Sequence, residues 1–330
     1  MKKIYSIYPQ MKFYHESLIA KKRLVPYAMI SSQKNYENKC VKTCSRGFRI
    51  SSNGLETFSV DQISKYKSIN IVIGGSTVFG VGSSNNQNTI PSLLSLKTNS
   101  IWLNLGIRAG NSFSEYIHLI NLLHKANKIE NIIFLSGLND LYLSFLYNNE
   151  AEFDSGFFPD ITESQNISLF KKITQFVSQK VSNSHNKLYA SKVKSAKVIL
   201  KNYKNKYIRN FQLISSLQET YNCKVKFILQ PFAPWTNKKF SKNELEVFDL
   251  LNDIQDNSEW INIKSLMSNN SLYNSINDFF ISLSNKYNLE YMDSNTIFTN
   301  VKSDCFVDSV HLNDNGNKLL TELIYGQENN

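Results

Sequence analysis

No stretch of this 330-residue chain approaches the ~18 consecutive apolar residues of a membrane-spanning helix. The opening MKKIYSIYPQMKFYHESLIAKKRL begins basic, yet it has neither a continuous apolar centre nor a small-residue cleavage site, so a secretory leader is not expected. The expected compartment is the cytoplasm, either in solution or at the periphery of the inner membrane. Cysteine is scarce: Cys40, Cys44, Cys223 and Cys305 are the full set. Only the first two are neighbours, and no histidine follows them at zinc-finger spacing, which speaks against a metal site. Scattered thiols in a chain of this size also fit a reducing interior better than a disulfide framework. No internal repeat is evident. Acidic residues are missing altogether between Glu163 and Glu219.

That gap holds Lys171, Lys172, Lys180, Lys187, Lys192, Lys194, Lys197, Lys201, Lys204, Lys206 and Arg209, eleven positive charges that account for the whole net excess of +10. Two readings stand side by side. The stretch is either a solvated helical face or a surface that attracts an anionic polymer or an anionic membrane. Nucleic acid ranks below both, because no recognised binding module frames the patch. The apolar fraction of 42%, with 12% aromatics, is enough to build a sizeable core and argues against disorder. The length exceeds that of a usual single domain.

Four apolar runs predict buried strands: Ile69–Gly75, Ile101–Gly106, Asn131–Gly137 and Lys224–Gln230, with Leu289–Asp293 a weaker fifth. Their hydrophobicity is continuous rather than alternating, which implies strands covered on both faces, as in a parallel sheet. Helical patterns lie between them. Ser112–Lys125 sets Tyr116, Leu119, Ile120 and Leu123 on one stripe, Ser241–Ile254 opens with a capping box of Ser241 and Glu244, and Asn313–Ile324 closes the chain. The alternation predicts an α/β fold, a flavodoxin-like three-layer α/β/α sandwich with about five parallel strands. Residues 1–65 read as an N-terminal extension packing on a core domain of 66–330. Residues 145–218 read as a basic helical insertion, of a length usual for lids, substrate-binding attachments or oligomer contacts.

Four strand ends carry residues with chemical potential. GGSTVFG, Gly74–Gly80, places Ser76 between glycines and the following helix, at the carboxyl end of the first strand, where open α/β sheets bind ligands. A glycine-rich turn with a capping residue would look the same, but the phosphate-binding pattern ending in Gly-Lys-Ser/Thr is not matched. DSVHLNDNG, Asp308–Gly316, puts His311 three residues after Asp308. A serine hydroxyl needs a base to lose its proton, and the base needs a carboxylate to fix its tautomer. The other histidines, His15, His118, His124 and His185, lack this arrangement, and His118 and His124 read as structural or surface residues. SGLNDL, Ser136–Leu141, offers the Asn139 amide to a developing oxyanion, or else Asn139 and Asp140 cap the next helix. NLGIRAGNS, Asn104–Ser112, offers a glycine N–H, or is a plain helix-start turn.

Together, and in this order, the four pieces resemble the SGNH (GDSL-like) hydrolase superfamily. The resemblance covers about residues 69–141 and 223–325, and the phrases GFR and LQPF are similar to members linked to bacterial surface-carbohydrate O-acylation. It implies Ser76 as nucleophile, His311 as base and Asp308 as the carboxylate that orients it. It also implies an oxyanion hole made by the N–H groups of Ser76 and Gly110 and the side chain of Asn139, with Gly106 the fallback for Gly110. No cofactor and no metal is implied. The chain departs from the family in having Gly-Gly-Ser for Gly-Asp-Ser, and three residues rather than two between Gly106 and Gly110. The expected function is a serine esterase removing a short acyl group, acetyl above all, from a carbohydrate or other small ester. The alternatives are an O-acyltransferase modifying a cell-surface glycan and a non-catalytic carbohydrate-binding protein on the same fold.

Overall fold

The computed structural model describes residues 1–19, 23–25, 29–146, 196–254 and 259–328. The chain opens with two helices, α1 (Lys2–Ile7) and α2 (Gln10–Ile19), and two short antiparallel pairs. These are β1 (Arg23–Val25) with β2 (Met29–Ser31), and β3 (Ser51–Ser52) with β4 (Thr57–Phe58). Five strands then form one fully parallel sheet: β5 (Ile69–Gly74), β6 (Trp102–Gly106), β7 (Ile129–Ser136), β8 (Lys224–Leu229) and β9 (Glu290–Asp293). Each lies within two residues of the run that predicts it.

The continuous hydrophobicity has the expected cause. In β5 every residue is buried, and alternate side chains feed opposite layers. Ile71 and Ile73 join Leu119, Leu122, Phe211 and Phe280 on one face, while Val72 joins Ile90, Leu94, Leu320 and Ile324 on the other. The first layer is built from α5 (Ser112–Leu123), α7 (Ala196–Tyr221) and α10 (Asn270–Tyr287), with α6 (Leu138–Leu146) against α7. The second is built from α4 (Ile90–Thr98) and α11 (Asp314–Glu328). The flavodoxin-like α/β/α sandwich is therefore the observed fold. Among the described residues, no helix is long and apolar enough to cross a membrane.

The strand order, β6-β5-β7-β8-β9, reverses direction at β5. The connections that leave the neighbouring strands β5 and β7 run to opposite sides there, opening a crevice beyond their carboxyl ends. The short helix α3 (Ser76–Phe79) starts at that point. Gly106, paired with Gly74 across the sheet, lets α3 lie directly on β6: a Cβ at 106 would be 2.0 Å from the Phe79 nitrogen.

Two helices depart from the sequence-based reading. The buried side of α5 runs through Leu119, Leu122 and Leu123, together with Glu115 and His118, while Ile120 faces out at 37% exposure. The polar pair has partners that make burial tolerable: Glu115 accepts from the Ser136 hydroxyl, and the His118 ring contacts the Ile30 carbonyl. The expected insertion at 145–218 lies outside the described residues over 147–195. Its described end is part of α7, whose Tyr203, Tyr207 and Phe211 pack on Phe227 of β8 and Phe280 of α10. Lys206 is buried and paired with Asp140 at 2.8 Å, so it does not belong to a solvated face. The capping box of α8 (Lys242–Ile254) forms as expected, with Ser241 and Glu244 each bonding the other's backbone N–H.

The N-terminal residues pack on α3. Ile4, Tyr8, Met11 and Tyr14 share a cluster with Phe79, Val81, Val247 and Val307. Arg49, the arginine of GFR, is fully buried and donates to the carbonyls of Phe79 (3.1 Å), Gly80 (2.7 Å) and Cys40 (2.5 Å). The Tyr14 hydroxyl reaches the carbonyls of Gly80 and Ser83. The turn that ends α3 is thus held from the N-terminal side.

Candidate active site

Ser76 is the first residue of α3, one peptide beyond β5. A helix's first N–H groups have no acceptor within the helix, so the Ser76 backbone presents an N–H beside its own hydroxyl. Facing it is the loop between Cys305 and Asn313, pinned at both ends. Cys305 and Phe306 donate their N–H groups to Glu244, which is itself buried against Lys238 at 2.7 Å. Asn313 closes onto the Cys305 carbonyl, and Val307 onto that of His311. The residue after LQPF adds a third tether, since Ala233 donates to the Ser309 carbonyl at 2.9 Å.

Within that loop, His311 and Asp308 meet Ser76 in an unbroken chain. His311 Nε2 is 2.7 Å from Ser76 Oγ, and His311 Nδ1 is 2.7 Å from Asp308 Oδ2. Asp308 Oδ1 accepts the N–H groups of Val310 and His311, both at 2.8 Å. Burial pushes the Asp308 carboxyl up, but the His311 ring and these donors together outweigh it and hold the group below the usual carboxylate range. Asp308 is therefore an anion at neutral pH, and an anion on Nδ1 keeps that nitrogen protonated and leaves Nε2 as the acceptor.

Asn139 is the second residue of α6, its side chain toward the crevice. Its Nδ2 donates to the Gly110 carbonyl at 2.7 Å and lies 2.8 Å from where a Cβ on Gly75 would be. The position before the serine is therefore one where a side chain would crowd the amide. Asp140 does not cap the helix in the expected manner. Fully buried, it accepts from the Ser112 N–H (2.9 Å) and hydroxyl (3.0 Å) and from Tyr207 (3.0 Å), besides its pair with Lys206. It thereby ties the loop after β6 to α6 and α7, and so fixes Gly110 relative to Asn139.

The two glycines of that loop are placed differently from Ser76 and Asn139. The Gly110 N–H donates to Ile107 at 2.9 Å, and the Gly106 N–H to Asn104 Oδ1 at 2.9 Å. The part of the loop that lines the crevice is Arg108 and Ala109, the latter in the left-handed region at φ 58°. No spacing rule singles out that pair, because a left-handed backbone is ordinarily read from a glycine or asparagine.

The crevice itself is a cavity of about 360 Å³ that also receives His15 from α2, and Trp260, Lys264 and Met267 from α9 (Glu259–Met267). Those residues carried no motif. Trp260 stacks at a tilt on Tyr142, ring centroids 4.9 Å apart, and together they form an aromatic part of its wall. His124 and His118 line no part of it, and His185 lies outside the described residues.

No protein-family model matches the chain, and no curated protein does either. Among solved structures it is similar to an acetylxylan esterase from Geobacillus stearothermophilus, with 11% identity, 79% of this chain and 93% of that one covered, and a TM-score of 0.41. It is also similar to a member of the G-D-S-L lipolytic family from Veillonella parvula, with 12% identity, 78% and 97% covered, and a TM-score of 0.41. A third is a two-domain esterase active on acetylated mannans, with 12% identity, 81% and 50% covered, and a TM-score of 0.39. At such identities and scores these likenesses carry no weight for the chemistry, which rests on the distances above.

Proposed function

We propose that the protein is a serine esterase that removes a short acyl group, acetyl above all, from a carbohydrate through an acyl-serine intermediate. The observation that carries this reading is the hydrogen-bonded chain from Ser76 through His311 to Asp308, open to the cavity. His311 Nε2 takes the Ser76 proton as Oγ bonds to the ester carbon, and Asp308 stabilises the imidazolium that forms. The carbonyl oxygen becomes an oxyanion held by the Ser76 N–H and the Asn139 amide. An amide nitrogen has two hydrogens; one is bound by Gly110, which aims the other. As the carbon–oxygen bond to the sugar breaks, His311 returns its proton to the leaving alkoxide. Water, deprotonated by the same ring, then attacks the acyl-serine and restores the enzyme. The Gly110 N–H takes part only if its bond to Ile107 is released.

Transfer to a hydroxyl instead of water is the second reading. It draws on the size of the cavity, about 360 Å³, several times what an acetyl group fills and enough to admit an acceptor. Measuring free acetate and transferred acetyl from one donor ester, with and without a sugar acceptor, separates the two. Either activity must vanish in Ser76→Ala; a Ser76→Ala protein with full turnover contradicts both.

A further inference from the structure

Most of the cavity lining is apolar, with Leu138, Leu251 and Met267 beside the aromatic pair of Tyr142 and Trp260. Set among these are polar atoms that the protein does not use. Of the three tryptophans in the chain, Trp102 donates its indole N–H to Thr98 and Trp235 to the Met267 carbonyl. Trp260, half-buried in the first turn of α9, has no such bond among the described residues, and its N–H is accessible. Tyr142, at 7% exposure, supports the indole from within. His15 reaches the same cavity from α2, its Nδ1 3.0 Å from the Tyr5 hydroxyl. Burial lowers its pKa below the usual value, so the ring is neutral at neutral pH, and its Nε2 has no partner among the described residues. Lys264 makes no demand on a ligand: Asn252 accepts from its ammonium at 2.6 Å, and the Asp308 carboxylate supports its charge.

An occupant must then offer apolar surface and hydrogen-bonding oxygens together. An acyl chain would cover the His15 nitrogen and the indole N–H without replacing their water, which is unfavourable. A pyranose does both. Its axial C–H groups, made electropositive by the neighbouring oxygens, suit the electron-rich face of an indole, and its hydroxyls project from the ring edge. Resting on the esterase reading above, we infer that Trp260 sets the specificity for the sugar. The pyranose that bears the ester lies with a C–H face on the indole, and the polar atoms of the wall, His15 Nε2 first among them, meet its hydroxyls. The substrate class is then an O-acetylated pyranoside with equatorial substituents, whose faces carry only axial C–H groups.

Acetates that differ in the alcohol test this: methyl tetra-O-acetyl-β-D-glucopyranoside, which has the face, and glucitol hexaacetate, which has no ring. An aromatic face in such a contact should make kcat/KM, counted per ester, roughly 3- to 10-fold higher for the pyranoside, with the advantage in KM. In Trp260→Leu, which keeps bulk and removes the face, the ratio should fall to about one. Trp260→Phe should retain part of it, with thermal melts confirming that both variants fold. A ratio of one in the wild type, or a preference that survives Trp260→Leu, overturns the inference. So does a larger gain along ethyl acetate, butyrate and hexanoate, which would give the wall to the acyl chain. Saturation-transfer NMR of methyl β-D-glucopyranoside with Ser76→Ala judges the subsite without turnover. Transfer to the axial ring protons that is lost when Trp260→Leu is added supports it; no transfer, or transfer unchanged by that second substitution, overturns it. Failure to cleave any ester counts against the esterase reading alone.

Discussion

At the scale of single residues, Asn139 and Glu115 do opposite kinds of work. On the proposed mechanism Asn139 meets the substrate only as charge develops on its carbonyl oxygen, so Asn139→Ala should lower kcat by roughly 10²–10³-fold with little change in KM. Steady-state kinetics on a nitrophenyl ester decide this, and a raised KM with kcat intact would make Asn139 a ground-state binder. Glu115 lies behind the site, buried against the Ser136 hydroxyl. Burial, with the charge of Asp140 adding to it, pushes its carboxyl up to about 8. An acid whose folded value is raised holds a proton in the fold that the unfolded chain has released. Its contribution is therefore complete below about 4.5 and lost as the pH rises to about 8. Urea unfolding across that window should show stability falling with pH, and Glu115→Gln should flatten the slope. The hydrogen-bonded grouping of Ser76, His311 and Asp308 was legible in the sequence because a serine at a strand end and a histidine three residues past an aspartate need no knowledge of packing. Lys264, Trp260 and Ala109 were not, because nothing in their neighbours along the chain shows which cavity they will line.

At the scale of elements, the parallel strands were readable because burial on both faces writes a continuous apolar run into each. The helix α7 was not separable from the lysine-rich stretch before it. Its buried Tyr203, Tyr207 and Phe211 recur at helical spacing among lysines, and the partner of Lys206 is Asp140, far away in sequence. The N-terminal extension shows a similar long-range dependence. Arg49 and Tyr14 bond to the carbonyls that end α3, so the elements before the core domain hold the turn that carries Ser76. Tyr14→Phe removes the hydroxyl from Gly80, Ser83 and Arg49 in a buried place. It should cost about 1–3 kcal/mol of stability and lower kcat as the turn loosens, measured by chemical unfolding and ester turnover on one preparation. Unchanged stability would mean that the extension packs on the site without supporting it.

For the whole molecule, the question is what the net charge of +10 does. The described part of the basic stretch divides by environment: Lys197 and Lys201 are exposed, Lys204 is half-buried over the Phe279 ring, and Lys206 is internal. Replacing Lys197 and Lys201 together by Gln should change stability by no more than about 0.5 kcal/mol and leave turnover of a neutral ester as it was. Lys206→Met should cost about 3–5 kcal/mol by stranding Asp140 without its counter-ion. Urea unfolding of the two variants distinguishes these fates, and similar losses in both would mean the stretch acts as one unit. Lys192 and Lys194, the other candidates for an anionic partner, lie outside the described residues.

Whether Ser76 is a nucleophile activated by His311 is reported directly by a fluorophosphonate, because such reagents react with an activated serine and leave a stable mass. Intact-protein mass spectrometry followed by peptide mapping should find one adduct per chain, on Ser76. The adduct should be absent from Ser76→Ala and form far more slowly in His311→Ala. No adduct on the wild type, an adduct on another residue, or equal labelling of Ser76→Ala would rule out an activated Ser76.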